Sequence, residues 1–238
     1  MKVLPYLAVT TFIAGLAMLI VGYTFSQGGG GVKSAPSVTP IPIVLDTPTP
    51  VPTEAPSPTP TPIPYDGSLT KFQIPEFNVD ASVESIGVNA NNQMEVPTNP
   101  RDVGWYNTWS KPGFDGNAIF SAHVNYYGLA PNLMPFNKLA DMKPGDEIDI
   151  VMDNGLTYKY AFIGRYVYDV NNIPMGDIIN GKFADPQGKQ LTVERPAGQQ
   201  WITLITCDDG GPFVYVNGGN SGPVEYLQRT IVVAKRIA

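Results

Sequence analysis

Proline is distributed very unevenly along this chain, and this limits which part of it can form a compact fold. Many of the 24 prolines lie before residue 65, in runs such as Pro56-Ser57-Pro58-Thr59-Pro60-Thr61-Pro62. Proline fixes φ and lacks a backbone donor, so this stretch cannot join a sheet and favours the extended polyproline II conformation. Residues 27–66 are therefore predicted to be a linker, which starts with the flexible glycines Gly28 to Gly31. The globular domain is expected to occupy residues 67–238.

An almost entirely apolar run, Val3 to Phe25, precedes the linker. As a helix it is long enough to cross a hydrocarbon core of ~30 Å. A cleaved signal peptide is the alternative, but its apolar region is usually shorter, and no clear small-residue cleavage site follows this run. Residues 1–26 are predicted to be an uncleaved single-pass anchor, with residues 3–25 in contact with membrane lipid. Because Lys2 precedes the run, the positive-inside rule places the N-terminus in the cytoplasm and the rest of the chain outside the cell.

Charge and the scarcity of metal-binding side chains exclude several function classes. A net charge of -6 argues against a nucleic-acid partner, which requires a basic surface. The single cysteine excludes an internal disulfide and a cysteine-based zinc site, and the single histidine excludes a His-rich metal site. Asp208, Asp209 and Asn217 are the candidate calcium ligands, but their spacing fits no calcium-binding loop and is better explained by turn chemistry. We expect no cofactor; calcium stays an alternative that no residue pattern indicates.

Short β-favouring runs separated by turn signals fill the sequence from Ser68 onward. About eight short strands with one small helix favour an all-β fold, a closed or nearly closed barrel. The helix is predicted at Phe136 to Met142, and Asn154-Gly155 predicts a hairpin with a type I′ turn, because both residues accept φ > 0. The predicted strands are Leu69 to Ile74, Ala81 to Val88, Met94 to Val96, Ala118 to His123, Glu147 to Met152, Leu156 to Gly164, Arg165 to Val170, Trp201 to Cys207 and Val224 to Ala234.

Cys207 ends one of these runs and is followed by an acidic, glycine-rich turn. A lone cysteine is more often a small buried hydrophobic residue than a nucleophile. Here the strand-end position allows the thiol to face a groove, and a spare thiol is a liability in an exported domain unless it is used. We therefore predict that Cys207 is a nucleophile. Only its thiolate attacks a carbonyl carbon, so a positive charge is needed nearby.

His123 and Arg229 are predicted to assist Cys207. An isolated histidine is usually structural or exposed, but its near-neutral titration suits acid–base catalysis, and His123 lies at another predicted strand end. Arg229 opens the last strand, where an arginine normally points to solvent. If that strand pairs with the strand of Cys207, the loop Asp208 to Pro223 closes an antiparallel hairpin. Cys207 and Arg229 then lie next to each other at one rim of the barrel. A guanidinium there is suited to stabilise a developing oxyanion.

With these residues in view, the sequence resembles the sortases, membrane-anchored cysteine transpeptidases of bacterial surfaces. The run Thr203-Leu204-Ile205-Thr206-Cys207 matches the family's Thr-Leu-x-Thr-Cys signature at every fixed position. The resemblance covers about Ser68 to Ala238. It includes, in order, Ile86-Gly87-Val88, Val96-Pro97, Val103-Gly104-Trp105-Tyr106, Pro112-Gly113, Gly116-Asn117-Ala118, His123, Phe136-Asn137-Lys138-Leu139, Gly145-Asp146 and Arg229.

The resemblance implies an eight-stranded sortase-type β-barrel and a role for each candidate residue. Cys207 would attack the Thr–Gly carbonyl of a Leu-Pro-x-Thr-Gly-like sorting signal at the C-terminus of a secreted protein, forming a thioacyl enzyme. His123 would protonate the leaving amine and then deprotonate the incoming amine, which belongs to a cell-wall precursor or a pilin. Arg229 would hold the oxyanion or the substrate backbone. No cofactor is implied, although some sortases bind calcium.

The same resemblance indicates where substrate binds. The stretch Asn171 to Gly198 is similar to the family's variable substrate-selecting loop, and its apolar residues are suited to line a peptide groove. The predicted substrate-binding residues are Ile173, Pro174 and Met175 in this loop, with Ala122 and Thr206 beside the catalytic candidates. Ala122 and Val124 stand where many members have Gly and Arg, so the subclass and the preferred signal stay open.

Two alternatives compete with this interpretation. An L,D-transpeptidase also places His before Cys, but its cysteine lies in a Ser-x-Gly-Cys context with an arginine close behind, unlike the Thr-Cys-Asp-Asp-Gly run here. A non-enzymatic β-domain on a stalk, acting as an adhesin or receptor, would fit the anchor, linker and barrel equally well. The strand-end positions of Cys207 and His123 favour the enzyme, because a binding module has no need of either.

Overall fold

The computed structural model describes residues 64–238. The predicted anchor and nearly all of the predicted linker lie outside the described residues. Within the described part of the chain, no helix is both long enough and apolar enough to span a membrane.

Twelve strands follow one another along the described chain. They are β1 (Leu69–Ile74), β2 (Val79–Ile86), β3 (Val103–Tyr106), β4 (Gly116–Ser121), β5 (Glu147–Met152), β6 (Thr157–Asp169), β7 (Lys182–Phe183), β8 (Val193–Glu194), β9 (Gln200–Cys207), β10 (Phe213–Tyr215), β11 (Val224–Tyr226) and β12 (Gln228–Arg236). Eight of them close a barrel in the order β1-β2-β3-β4-β9-β12-β6-β5, which confirms the predicted all-β barrel. Closure leaves no exposed sheet edge along these strands.

The helices of this domain are short. The α-helix α1 covers Met175–Ile179, and four 3-10 turns cover Pro75–Phe77, Pro131–Leu133, Leu139–Asp141 and Val170–Asn172. The helix predicted at Phe136 to Met142 is therefore wrong in extent, because only the turn Leu139–Asp141 is helical there. Leu139 is buried against the barrel core, so tertiary packing rather than helical periodicity fixes this segment.

The barrel strands β4, β9 and β12 are buried on both faces, which explains their continuous apolar runs. Alternate residues of β9 fill two different clusters: Leu204 packs inside the barrel, whereas Ile205 packs on its outer side. The outer cluster is covered by the segment between β6 and β9. In it Ile178 of α1 is fully buried, and Phe183 stacks on Trp201 with ring centroids 6.3 Å apart. The central strands are thus fixed from both sides, and their ends are rigid supports for side chains.

The hairpin predicted at Asn154-Gly155 is confirmed, but the type I′ turn is wrong. Gly155 has φ 84, while Asn154 is not among the residues with positive φ. The Gly155 N–H donates to the Met152 carbonyl at 3.0 Å and the Met152 N–H donates to the Leu156 carbonyl at 2.8 Å. The loop therefore runs from Asp153 to Gly155, with a single left-handed residue at its end, the arrangement of a G1 bulge.

Several predicted strand boundaries also differ from the structure. The two strands predicted at Leu156 to Gly164 and Arg165 to Val170 form one continuous strand, β6, which pairs with β12 from Tyr160 to Asp169. The strand predicted at Met94 to Val96 is reduced to an isolated bridge between Val88 and Met94. The last predicted strand divides at Leu227, and its first part, β11, leaves the barrel to pair with β10.

Candidate active site

Cys207 and Arg229 lie directly opposite each other on β9 and β12. The two strands are antiparallel, and these residues form the first pair of the register. The guanidinium is held in place by its own strand end: Nη1 donates to the carbonyl of Tyr226 at 2.7 Å and to that of Gln228 at 3.0 Å. The pairing expected from the sequence is therefore confirmed, and it places a fixed positive charge beside the thiol.

His123 lies just beyond β4, which ends at Ser121, and not within a strand as expected. Its segment is tied to the end of β9, because the Thr206 hydroxyl donates to the Ala122 carbonyl at 2.8 Å. The Phe136 N–H donates to the His123 carbonyl at 3.2 Å, which fixes the chain on the other side. The imidazole meets the ring of Tyr126 edge-on, with centroids 5.3 Å apart.

Two cavities share Cys207, His123 and Arg229 in their walls. The smaller has a volume of about 390 Å³, and the larger about 970 Å³. The remaining wall of the smaller cavity consists of Met94, Val96, Pro97, Tyr106, Ser121, Ala122, Val170, Asn171, Ile173, Met175, Ile205 and Thr206. That of the larger consists of Val124, Asn125, Tyr126, Tyr127, Leu129, Pro131, Val216, Gly222, Pro223, Val224, Glu225 and Tyr226. The three candidate catalytic residues thus stand where two clefts of different character meet.

Four of the five residues predicted to contact substrate line the smaller cavity: Ala122, Thr206, Ile173 and Met175. Pro174 is not part of this wall. The hydroxyl of Thr206 is occupied by its hydrogen bond to the Ala122 carbonyl, so this residue positions the segment of His123.

The smaller cavity also contains a polar pair that sequence reasoning did not identify. The Tyr106 hydroxyl donates to the Glu95 carbonyl at 2.6 Å and lies 3.0 Å from the Ser121 hydroxyl. Because a carbonyl oxygen cannot donate, the single proton of Tyr106 is used on Glu95, and Ser121 must donate to Tyr106. The Ser121 oxygen keeps acceptor capacity toward an otherwise largely apolar cavity. Tyr106 belongs to the quoted Val103-Gly104-Trp105-Tyr106 run, but no local pattern connects it with Ser121.

Burial controls the protonation of both candidate catalytic groups. Burial raises the pKa of the Cys207 thiol; the Arg229 guanidinium partly opposes this, and the charges of Asp209 and Glu225 add to it. Burial lowers the pKa of His123. Around neutral pH the prevailing state therefore combines a neutral thiol with a neutral imidazole.

The turn after Cys207 is closed by backbone hydrogen bonds of Asp208. The Asp208 N–H donates to the Gln228 carbonyl at 3.0 Å, and the Asp208 carbonyl accepts from the Gly211 N–H at 3.2 Å. In the part of the chain that the structure describes, no group of three or more His, Cys, Asp or Glu side chains is placed to hold a metal ion.

Comparison with known proteins identifies a family for this chain. A family model described as Sortase domain matches residues 72–237, while a search of curated proteins finds no match. Among solved structures, the lid mutant of sortase A from Corynebacterium diphtheriae is 19% identical, with a TM-score of 0.46 and coverage of 71% of this chain and 70% of that one. The SrtA sortase from Actinomyces oris is 19% identical, with a TM-score of 0.45 and coverage of 74% and 83%. The family match extends over most of the chain, so the protein belongs to the sortase family of cell-surface transpeptidases.

Proposed function

We propose that this sortase is a cysteine transpeptidase that cleaves a Leu-Pro-x-Thr-Gly-like sorting signal between Thr and Gly. Its donors are secreted proteins that carry the signal at the C-terminus, and its acceptor is an amine of a cell-wall precursor or a pilin. One observation carries the proposal: Cys207, His123 and Arg229 all line both of the cavities that meet at the end of β9.

In the first half-reaction the thiol proton of Cys207 passes to the neutral imidazole of His123, and the resulting thiolate attacks the Thr–Gly carbonyl carbon. The developing oxyanion is stabilised by Arg229, whose guanidinium is already oriented by the Tyr226 and Gln228 carbonyls. Protonated His123 gives its proton to the leaving glycine nitrogen, the C–N bond breaks, and a thioester remains on Cys207.

The smaller cavity is suited to the signal upstream of the scissile bond. Its wall includes Ile173, Met175 and Pro97, so an extended peptide with apolar residues is desolvated favourably there. Ile173 and Met175 belong to the loop between β6 and β7, which supports substrate selection by this loop. Swapping Asn171 to Gly198 for another sortase's loop is expected to change the preferred signal.

We also propose that residues 1–26 anchor the chain in the membrane with a cytoplasmic N-terminus, that residues 27–66 are a spacer, and that the catalytic domain, 67–238, is extracellular. The reaction as written requires no cofactor, because the thiol, the imidazole and the guanidinium supply the nucleophile, the acid–base group and the oxyanion donor. Family membership makes an L,D-transpeptidase or a non-enzymatic adhesin the less favoured interpretation.

Trapping of the acyl-enzyme tests the function. The full-length chain is incubated with a library of sorting-motif peptides, and intact-mass spectrometry measures the adduct. We expect a mass increase equal to the peptide up to its threonine, lost on treatment with hydroxylamine and missing in Cys207→Ala. If no peptide in the library gives an adduct with the wild-type protein, while a thiol-reactive probe labels Cys207, the proposal is wrong.

A further inference from the structure

The larger cavity differs from the smaller one in its chemistry. Three tyrosines, Tyr126, Tyr127 and Tyr226, stand in its wall, together with the amide of Asn125. Tyr126 and Tyr127 are exposed to 45% and 72%, so aromatic surface is available to a ligand. Asn125 Nδ2 donates to the Tyr226 hydroxyl at 2.5 Å and thereby connects the segment after His123 to the hairpin of β10 and β11. The cavity is thus a defined cleft with an aromatic and polar wall.

Glu225 is the single carboxylate among the described residues that line this cleft. It lies in β11, opposite Val214 of β10, and is exposed. No salt bridge within residues 64–238 involves it. Its charge is close enough to Cys207 to raise the pKa of the thiol. An exposed carboxylate without an ion-pair partner among the described residues therefore shares this cleft with the Cys207 sulfur.

The charges of the cleft indicate which ligand it favours. Arg229 lines the same cleft, and its positive charge repels a cationic ligand unless it is compensated. Glu225 supplies that compensation, and tyrosine faces attract cations further. Aliphatic primary amines are protonated at neutral pH, so an amine acceptor arrives as an ammonium ion.

We propose that the larger cleft binds the acceptor substrate as a primary ammonium ion, with Glu225 as its counter-charge and a specificity-determining residue for cationic amines. This inference rests on the proposed function and assigns the second substrate to the second cavity. The acyl donor then occupies the smaller cavity, and the two substrates approach Cys207 from different sides.

The resolving step follows from this arrangement. The neutral imidazole of His123 accepts one proton from the ammonium, and the free amine attacks the thioester carbonyl carbon. A C–N bond forms while the C–S bond breaks, and the second nitrogen proton is transferred to the Cys207 sulfur. The imidazolium then releases its proton to water, which restores the resting state.

The test compares a cationic with an uncharged acceptor on the full-length protein. Nα-acetyl-lysine amide carries an ammonium group at neutral pH, whereas hydroxylamine is uncharged. With the sorting peptide that acylates Cys207, we expect Glu225→Gln to raise the KM for acetyl-lysine amide roughly threefold to fivefold, as for an exposed ion pair. The KM for hydroxylamine is expected to stay unchanged, and added salt is expected to reduce the difference.

Asp209→Asn is the matched control. Asp209 also raises the pKa of Cys207 but is not part of the wall of the larger cleft. Its substitution therefore alters the thiol in the same direction without changing the acceptor KM. If Glu225→Gln leaves the KM for acetyl-lysine amide unchanged, or changes both acceptors equally, the inference is wrong although the acyl-enzyme forms. If wild-type protein forms no acyl-enzyme, the proposed function itself fails and this inference fails with it.

Discussion

Arg229 and Cys207 are cross-strand partners at the end of the β9–β12 pair, so the position of the guanidinium beside the thiol is fixed by backbone register. Two carbonyls, those of Tyr226 and Gln228, accept hydrogen bonds from its Nη1. Such an arrangement is preorganised, which is the condition for a donor to stabilise a transition state without reorganisation.

Arg229→Ala is expected to lower kcat by about a hundredfold to a thousandfold, as for loss of an oxyanion donor. Arg229→Lys should retain little activity, because an ammonium cannot reproduce the planar guanidinium held by two carbonyls. The pKa of Cys207 should also rise in Arg229→Ala, since Arg229 partly opposes the effect of burial. Steady-state kinetics and the pH dependence of thiol alkylation measure the two effects.

Arg236→Ala is the control for this prediction, because Arg236 lies at the other end of the same strand and outside both cavities. Its guanidinium lies over the Tyr158 ring, 4.4 Å from the centroid, so its loss affects packing. The alkylation profile of Cys207 should not change. Equal kcat values for Arg229→Ala and Arg236→Ala would remove Arg229 from the mechanism.

The pH dependence of catalysis follows from the shifts at Cys207 and His123. Catalysis requires one proton on the pair, whether it is located on sulfur or on imidazole. We therefore expect kcat/KM to be flat between the two pKa values, with an acid limb below the ordinary histidine range and an alkaline limb above the ordinary cysteine range. A kcat/KM plateau narrower than the interval between the ordinary pKa values of histidine and cysteine would contradict the burial found at both groups.

The same shifts affect stability, with opposite signs. The pKa of His123 is lower in the folded than in the unfolded protein. Its contribution to the free energy of unfolding is therefore present above the unfolded-state pKa and is lost as the pH falls through the folded-state pKa. The pKa of Cys207 is higher in the folded than in the unfolded protein. Its contribution to the free energy of unfolding is therefore present below the unfolded-state pKa and is lost as the pH rises through the folded-state pKa. Urea denaturation of wild type, His123→Ala and Cys207→Ala across pH measures both. His123→Ala should lack the fall in stability at low pH that is due to His123, and Cys207→Ala should lack the fall at high pH that is due to Cys207.

The sequence was most informative where a strand is buried on both faces. Such strands are continuous apolar runs, and Trp201 to Cys207 and the segment after Arg229 could be located for this reason. A hairpin between them is the simplest connection, so the pairing of Cys207 with Arg229 followed from chain order. The continuous apolar runs thus predicted which strands are buried, and their ends indicated the rim of the barrel where the candidate catalytic residues lie.

Contacts that depend on long-range register could not be predicted. The Tyr106–Ser121 pair requires β3 to join β4 and β2 with a particular register, which no local pattern specifies. The hairpin of β10 and β11 consists of short, largely exposed strands, so its sequence carries little alternation, and Glu225 passed unnoticed. The turn at Gly155 was assigned the wrong type because loop length, rather than the Asn-Gly pair alone, selects the turn.

Tyr106→Phe tests whether the polar pair in the smaller cavity takes part in binding the signal. Loss of the hydroxyl leaves the Glu95 carbonyl and the Ser121 hydroxyl without their partner, at a cost of about 1–3 kcal/mol in the free energy of unfolding. We expect the KM for the sorting peptide to rise with little change in kcat, because neither hydroxyl is the nucleophile, the acid–base group or the oxyanion donor of the proposed reaction. Chemical denaturation and peptide kinetics measure the two quantities.

Tyr168→Phe provides the matched comparison. The Tyr168 hydroxyl donates to the Ala184 carbonyl at 2.7 Å, and this buried tyrosine is not part of the cavity wall. A similar loss of stability is expected without a change in KM. A common KM for both variants would show that the Tyr106 hydroxyl has a structural role only.

The hydrogen bond from Thr206 to the Ala122 carbonyl makes a final prediction about His123. Thr206→Val keeps the shape of the side chain but removes the 2.8 Å bond that ties the His123 segment to β9. We expect a loss of about 1–3 kcal/mol in stability together with a fall in kcat, because the imidazole is no longer held at a fixed distance from the thiol.

The control is Thr203→Val, on the same strand, whose buried hydroxyl donates to Asn117 Oδ1 at 3.0 Å and lies outside both cavities. It should lower stability alone. Since both residues are buried threonines of β9, a difference between them in kcat, at comparable loss of stability, isolates the positioning of His123. If kcat falls equally in both, the bond to Ala122 contributes only to folding.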